Sequence, residues 1–290
     1  MRARHIAPVF LLLCIFARAQ EAPDARVEDL VAAVRDGDVK AIQELARDKD
    51  FVARVTRTGV REPDTQGASS SIVNYAVRSA PYEVIYELLK AGFGARSSDE
   101  GAGDALYYAL ERDDRKIIKL LASSVMASDI SKQPPAQDTA LAQAIRAGDA
   151  AAVKGEIVRL TALDSVLYTG FGDLLTTPLQ IAEDIHGAGS EIVKLLLRSG
   201  AGTRAIPIDR ELFPGATCNE SRVNLRTRPL VGTPVLRQLN PGDRVTVLAM
   251  SPRRTKVGIF NYYWFQVEVA GGPKGWMYGV YLDLDVEAAR

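Results

Sequence analysis

The chain has 290 residues, 47% hydrophobic and 25% charged, with 36 basic residues against 36 acidic. That length suits two domains with sizeable cores, and the balanced charge excludes a globally basic nucleic-acid binder. Two histidines and two cysteines exclude a disulfide framework and leave little for metal chemistry.

The first element is MRARHIAPVFLLLCIFARAQ: Arg2 and Arg4, an apolar run from Ile6 to Phe16, then Ala17-Arg18-Ala19 before Gln20. The order charged, apolar, small-x-small predicts a secretory signal over residues 1–19, cleaved between Ala19 and Gln20. The run is too short for roughly 30 Å of hydrocarbon, and no later stretch of the mature chain is long enough either. A lipid-modified Cys14 is a minor alternative, because Leu13 stands where a small residue belongs. An exported protein, periplasmic or secreted, is expected. Cleavage leaves Cys218 alone and 33 basic residues against 36 acidic. The charge then divides unevenly: 23 basic and 30 acidic residues up to Ala216, but 10 and 6 from Thr217 onward. Two domains of opposite sign are expected.

Residues 24–205 read as a repeat. EDLVAA from Glu28, SIVNYA from Ser71, DALYYA from Asp104, TALAQA from Thr139 and TPLQIA from Thr177 share an apolar third residue and a sixth-position Ala. Their starts lie 43, 33, 35 and 38 residues apart. Second amphipathic helices follow as VKAIQELA, YEVIYELL, RKIIKLLA, AAAVKGEI and SEIVKLLL, with Gly and Asp between the two helices. About five helical hairpins are predicted, with Ala76, Ala109, Ala144 and Ala182 at the stacking position and Lys119 on a polar face. Two longer inserts, Lys49–Ser70 and Leu160–Thr176, read as loops. The second carries Leu163, Leu167, Tyr168 and Phe171, and it serves either as a contact surface or as a cover for the repeat core.

Thr177-Pro178-Leu179-Gln180-Ile181-Ala182 follows the T-P-L-H-x-A opening of the ankyrin repeat, and the whole region resembles an ankyrin-repeat solenoid. The usual motif His is absent from all five copies. The resemblance implies an elongated stack whose surface holds a protein partner.

Residues 206–216 read as a linker, and 217–285 as strands separated by turns such as Asn240-Pro241-Gly242-Asp243. Val223-Asn224-Leu225-Arg226 with Pro229, then VLRQLNPGDRVTVL, Trp264-Phe265-Gln266-Val267 and Gly275-Trp276-Met277 with Tyr281-Leu282 resemble bacterial SH3-like (SH3b) domains. The expected fold is therefore multidomain, an all-α repeat solenoid followed by a small all-β SH3-like barrel. The resemblance implies a module that binds cell-wall peptide or a protein segment. Trp264, Trp276 and Tyr281 read as barrel core. A candidate ligand edge falls in the longer excursion 251–263: Arg253, Arg254, Lys256, Tyr262 and Tyr263, with Tyr278 nearby, the tyrosines partly exposed.

No nucleophile–base pair is legible, since His186 and Cys218 fall in different predicted domains. No catalytic residue, metal or cofactor is expected. The sequence reads as an exported interaction scaffold that binds a protein through the repeats and wall or envelope protein through the barrel. The alternatives are a secreted effector and a regulatory subunit of a wall-remodelling enzyme.

Overall fold

The computed structural model describes residues 24–61, 69–94, 105–124, 135, 138–159, 163–168, 174–210 and 213–285. Cys14 and the Ala19/Gln20 junction lie outside the described residues.

Five helical hairpins form where the periodicity places them. They are α1 (Ala25–Asp36) with α2 (Val39–Leu45), α4 (Ile72–Ser79) with α5 (Tyr82–Ala91), and α6 (Ala105–Glu111) with α7 (Arg115–Ser124). Then come α8 (Ala140–Arg146) with α9 (Ala150–Arg159), and α10 (Pro178–His186) with α11 (Glu191–Arg198). The capping is local chemistry. Ser71, Thr139 and Thr177 accept amide hydrogens from the first turns of α4, α8 and α10. In the first hairpin the cap is Asp24, four residues ahead of the expected position, and Glu28 sits in the first turn instead. Between helices the chain turns through a left-handed residue: Gly37, Asp113 and Gly148 at φ 73°, 51° and 72°. Asp38, Asp114 and Asp149 follow directly and cap the second helices.

The shared alanines explain how the first helices approach. Ala76, Ala109 and Ala182 are fully buried and Ala144 nearly so, and larger side chains there would hold neighbouring helices apart. Hydrogen bonds fix the register between hairpins. The Arg112 guanidinium donates to the carbonyls of Val77 and Ala80, and the His186 Nε2 meets the Ile145 carbonyl at 2.6 Å. The lone histidine of the helical region is thus a brace between hairpins four and five.

Two inserts are more ordered than the sequence reading expected. Lys49–Ser70 contains a further helix, α3 (Lys49–Thr58), capped by Asp48 and burying Phe51, Val52 and Val55. The strands β1 (Val60–Arg61) and β2 (Ser69–Ser70) pair after it. The second insert forms β3 (Leu167–Tyr168) and β4 (Leu175–Thr176), which also pair. It covers core: Leu167, Leu174 and Leu175 are buried, while Phe171 lies outside the described residues.

The expected linker is part of the barrel. Strand β5 (Ile206–Pro207) pairs with β9 (Arg244–Met250), and Ile206, Ile208 and Phe213 are buried. The sheet runs β14 (Leu282–Asp285), β6 (Gly215–Cys218), β9, β12 (Trp264–Val269), β13 (Lys274–Tyr278), β7 (Val223–Arg226), β8 (Val235–Leu239). A separate hairpin, β10 (Thr255–Val257) and β11 (Phe260–Tyr262), fills the central excursion. Gly275 lets β13 close on β7, because a Cβ there would stand 2.8 Å from the Arg226 carbonyl oxygen. No helix among the described residues is long and apolar enough to cross a membrane.

The hydrophobic interior is divided in an unexpected way. Buried residues of hairpins one to three form one cluster with those of the barrel, whereas hairpins four and five have their own core. The β3–β4 hairpin spans the two, with Leu167 in the second core and Leu174 and Leu175 in the first.

Candidate ligand cleft of the barrel

The residues expected to form a ligand edge do not come together as one. Arg253 pairs with Glu183, and the Arg254 guanidinium donates to the Asp184 carboxylate at 2.9 Å; both partners lie on α10. Tyr263 is fully buried, with Arg254 5.5 Å above its ring centroid. Tyr262 is also buried, and its hydroxyl accepts the Leu175 amide hydrogen at 3.3 Å. Lys256, on β10, is exposed, and Arg253 keeps about half of its side chain in solvent while it pairs with Glu183. These residues hold the barrel to the helices. Sequence composition gives arginine and tyrosine the same letters whether they face water or another domain.

A second set of contacts lies on α5 and α7. The Tyr86 ring is tilted against Phe260, with 6.0 Å between centroids. Lys119 is buried, not solvated as its helix face implied: its ammonium donates to the Leu282 carbonyl and to Asp283 at 2.7 Å. Tyr86 and Lys119 occupy the same repeat position as Gln43, Lys154 and Lys194, which are exposed or half-buried. The barrel covers that position in hairpins two and three. Burial pushes the Asp283 carboxyl up, but the Lys119 charge and hydrogen bonds from Lys119 and Asn219 outweigh it and hold it below the ordinary range.

A cleft of about 280 Å³ opens on another part of the barrel, lined by Trp264, Tyr278 and Tyr281 with Arg222, Arg226 and Val231. Of the expected ligand residues only Tyr278 lines it, and its ring is fixed rather than partly exposed. Its hydroxyl donates to the Thr255 carbonyl at 2.7 Å and accepts the Tyr262 amide hydrogen at 2.8 Å. Burial raises its pKa above the usual phenol value. Tyr281 meets it edge-on at 6.2 Å, and Trp264 is tilted against it at 5.3 Å. Trp264, read as plain core, is buried yet lines the cleft. Its Nε1–H has no hydrogen-bond acceptor among the described residues. Trp276 is half-buried and packs against the edge of the core.

The polar groups around the cleft divide into occupied and available. Arg226 donates to the Thr233 carbonyl at 2.7 Å, and the Glu220 carboxylate accepts from the Ser221 amide and hydroxyl. Those Ser221 contacts and nearby Lys116 hold Glu220 below the ordinary carboxylate range despite partial burial. The exposed Arg222 guanidinium stands as a donor beside apolar ring faces, and the Trp264 indole N–H is buried in the cleft wall. Such a surface suits carbonyl or carboxylate oxygens on an extended chain.

Cys218, the single thiol of the barrel, is buried, and burial pushes its pKa up. No cluster of three or more metal-ligating side chains occurs among the described residues. No curated protein matches the chain, and no ankyrin-repeat family matches the helical hairpins. Residues 221–283, which hold most of the barrel and the cleft-lining Trp264, Tyr278 and Tyr281, match the bacterial SH3 domain.

Proposed function

We propose that this is a non-catalytic, exported interaction protein whose barrel cleft holds an extended peptide of the cell wall or of an envelope protein. The unsatisfied Trp264 indole N–H in an aromatic cleft carries this reading. A buried donor without an acceptor costs about 1–3 kcal/mol, which a ligand oxygen would recover. The bacterial SH3 match supports the ligand class. The leader-like N-terminus supports export, and the arrangement of caps, alanines and hairpins supports ankyrin-type repeats that hold a protein partner.

Co-sedimentation of the full protein with purified wall sacculi, and titration with soluble wall peptides, test the reading. Trp264→Phe keeps an aromatic ring but removes the N–H and part of the buried indole volume. Folding stability should fall modestly, since the lost volume is only partly offset by removal of the unpaired donor, while binding of the folded variant should fall by about tenfold. Arg222→Glu should remove the salt-sensitive part of the affinity. Absence of binding at low salt rejects a wall ligand, and unchanged binding in Trp264→Phe rejects the cleft.

A further inference from the structure

We propose that the β7–β8 hairpin is a membrane-docking element that inserts its tip end-on into an anionic bilayer. Among the described residues only a few large apolar side chains are exposed, and four of them stand in this one hairpin. Leu230, Val231, Val235 and Leu236 are 54%, 53%, 46% and 42% exposed. The rest of the barrel buries its apolar residues well, so the concentration is local.

The tip is preformed. The Thr227 amide donates to the Pro234 carbonyl and closes the loop. Inside it the Thr233 hydroxyl contacts the carbonyls of Arg228 and Leu230, and Arg226 holds the Thr233 carbonyl. A rigid loop that presents apolar side chains loses little conformational entropy on docking.

The arrangement selects a bilayer over a protein groove. Leu230 and Val231 form the end of the hairpin, and Val235 and Leu236 follow where β8 bulges against Arg226, with neither face of the start of the strand covered. β8 is an edge strand, paired only with β7, and its first four residues are exposed. A protein partner of ordinary shape covers one face of such a hairpin. Hydrocarbon surrounds a tip on both. The charge agrees: Arg222, Arg226, Arg228 and Arg237 stand in the stretch 221–242, which contains no acidic residue. Arg228 and Arg237 are exposed and flank the apolar tip, at the depth where guanidinium groups meet lipid phosphates. This surface shares Arg222, Arg226 and Val231 with the aromatic cleft, but Leu230, Val235, Leu236, Arg228 and Arg237 lie outside the cleft lining.

Sedimentation of the full protein with phosphatidylcholine vesicles, alone or with about 30% phosphatidylglycerol, tests the proposal. Binding should favour the anionic vesicles and weaken with salt. Leu230→Ser with Leu236→Ser should reduce it by about tenfold or more, and Arg228→Glu with Arg237→Glu should abolish the anionic preference. Val158→Ser, an exposed position on α9, should change nothing. Trp264→Phe should also leave vesicle binding intact, which separates this surface from the cleft. No binding to anionic vesicles at low salt overturns the proposal, as does unchanged binding in the Leu230/Leu236 variant. A concentration-dependent dimer that Leu236→Ser dissolves overturns it too, and assigns the edge to a second copy of this chain.

Discussion

At the residue scale the most consequential pair is Arg254 with Asp184, whose side chains are 5% and 11% exposed. Removing one partner of such a pair strands a charge in a low-dielectric site. Asp184→Ala should therefore cost about 3–5 kcal/mol in urea unfolding, whereas Arg254→Met with Asp184→Leu should lose far less. Equal losses in the two variants would mean that packing, not charge, holds the contact. Asp283 carries a pH signature. Its folded pKa is lowered, so its contribution is fully present above the unfolded carboxylate value near about 3.9 and disappears as pH falls through the lower folded value. Asp283→Asn should be less stable than the parent at neutral pH, and the gap should close in acid. A gap that stays constant down to strongly acidic pH would contradict the Lys119–Asp283 pairing. Neither pair was legible in the sequence. Lys119 reads as a surface lysine because its helix neighbours predict one face, and the barrel that covers it arrives 163 residues later.

At the scale of elements the sequence spoke clearly wherever structure is local. Helical hairpins announce themselves through apolar spacing, caps and the residue that turns between helices, and all five stand where that spacing placed them. Even Asp113, which breaks the glycine pattern, takes the left-handed turn of its counterparts. The strands and turns of the barrel were legible for the same reason, but their pairing was not: the Asn240–Asp243 turn joins β8 to β9, which pair with other strands and not with each other. Helix α3 was hidden because its insert was judged by its polar end, although Asp48 and the spacing of Phe51, Val52 and Val55 carried a helix signal. The repeat register makes a direct prediction. Ala109→Leu should overpack the first helices and cost about 1–3 kcal/mol, while Lys154→Leu, at an exposed position of α9, should be nearly neutral. Comparable losses at the two sites would break the register.

For the whole molecule, the division of the interior matters more than the division of the sequence. A boundary near Ala216 would cut β6, strip β5 from the sheet and expose the core that hairpins one to three share with the barrel. Burial of Cys218 turns this into a measurement. Its thiol should resist alkylation in the native protein and react when the barrel opens, and hairpin and barrel signals should be lost together. If the thiol becomes reactive at lower denaturant than that at which hairpins one to three melt, the shared core is not cooperative. The candidate cleft was half legible. Trp264 and Tyr281 were visible as motif letters and Tyr278 as a ligand candidate, but which rings line a groove depends on neighbours that only the fold supplies. The basic, aromatic excursion was more conspicuous, and it is spent on holding the domains.

The barrel is gripped at two separated places, by α10 through Glu183 and Asp184 and by α5 and α7 through Tyr86 and Lys119. A body tethered at one point swivels; one tethered at two resists torque. Load applied at the cleft therefore passes into both helical cores at once, and the β3–β4 hairpin lies between them as a crosspiece. Under tension the chain should behave as a stiff bracket, not as two beads on a string, and whatever the hairpins carry stands at a fixed distance and angle from whatever the barrel holds.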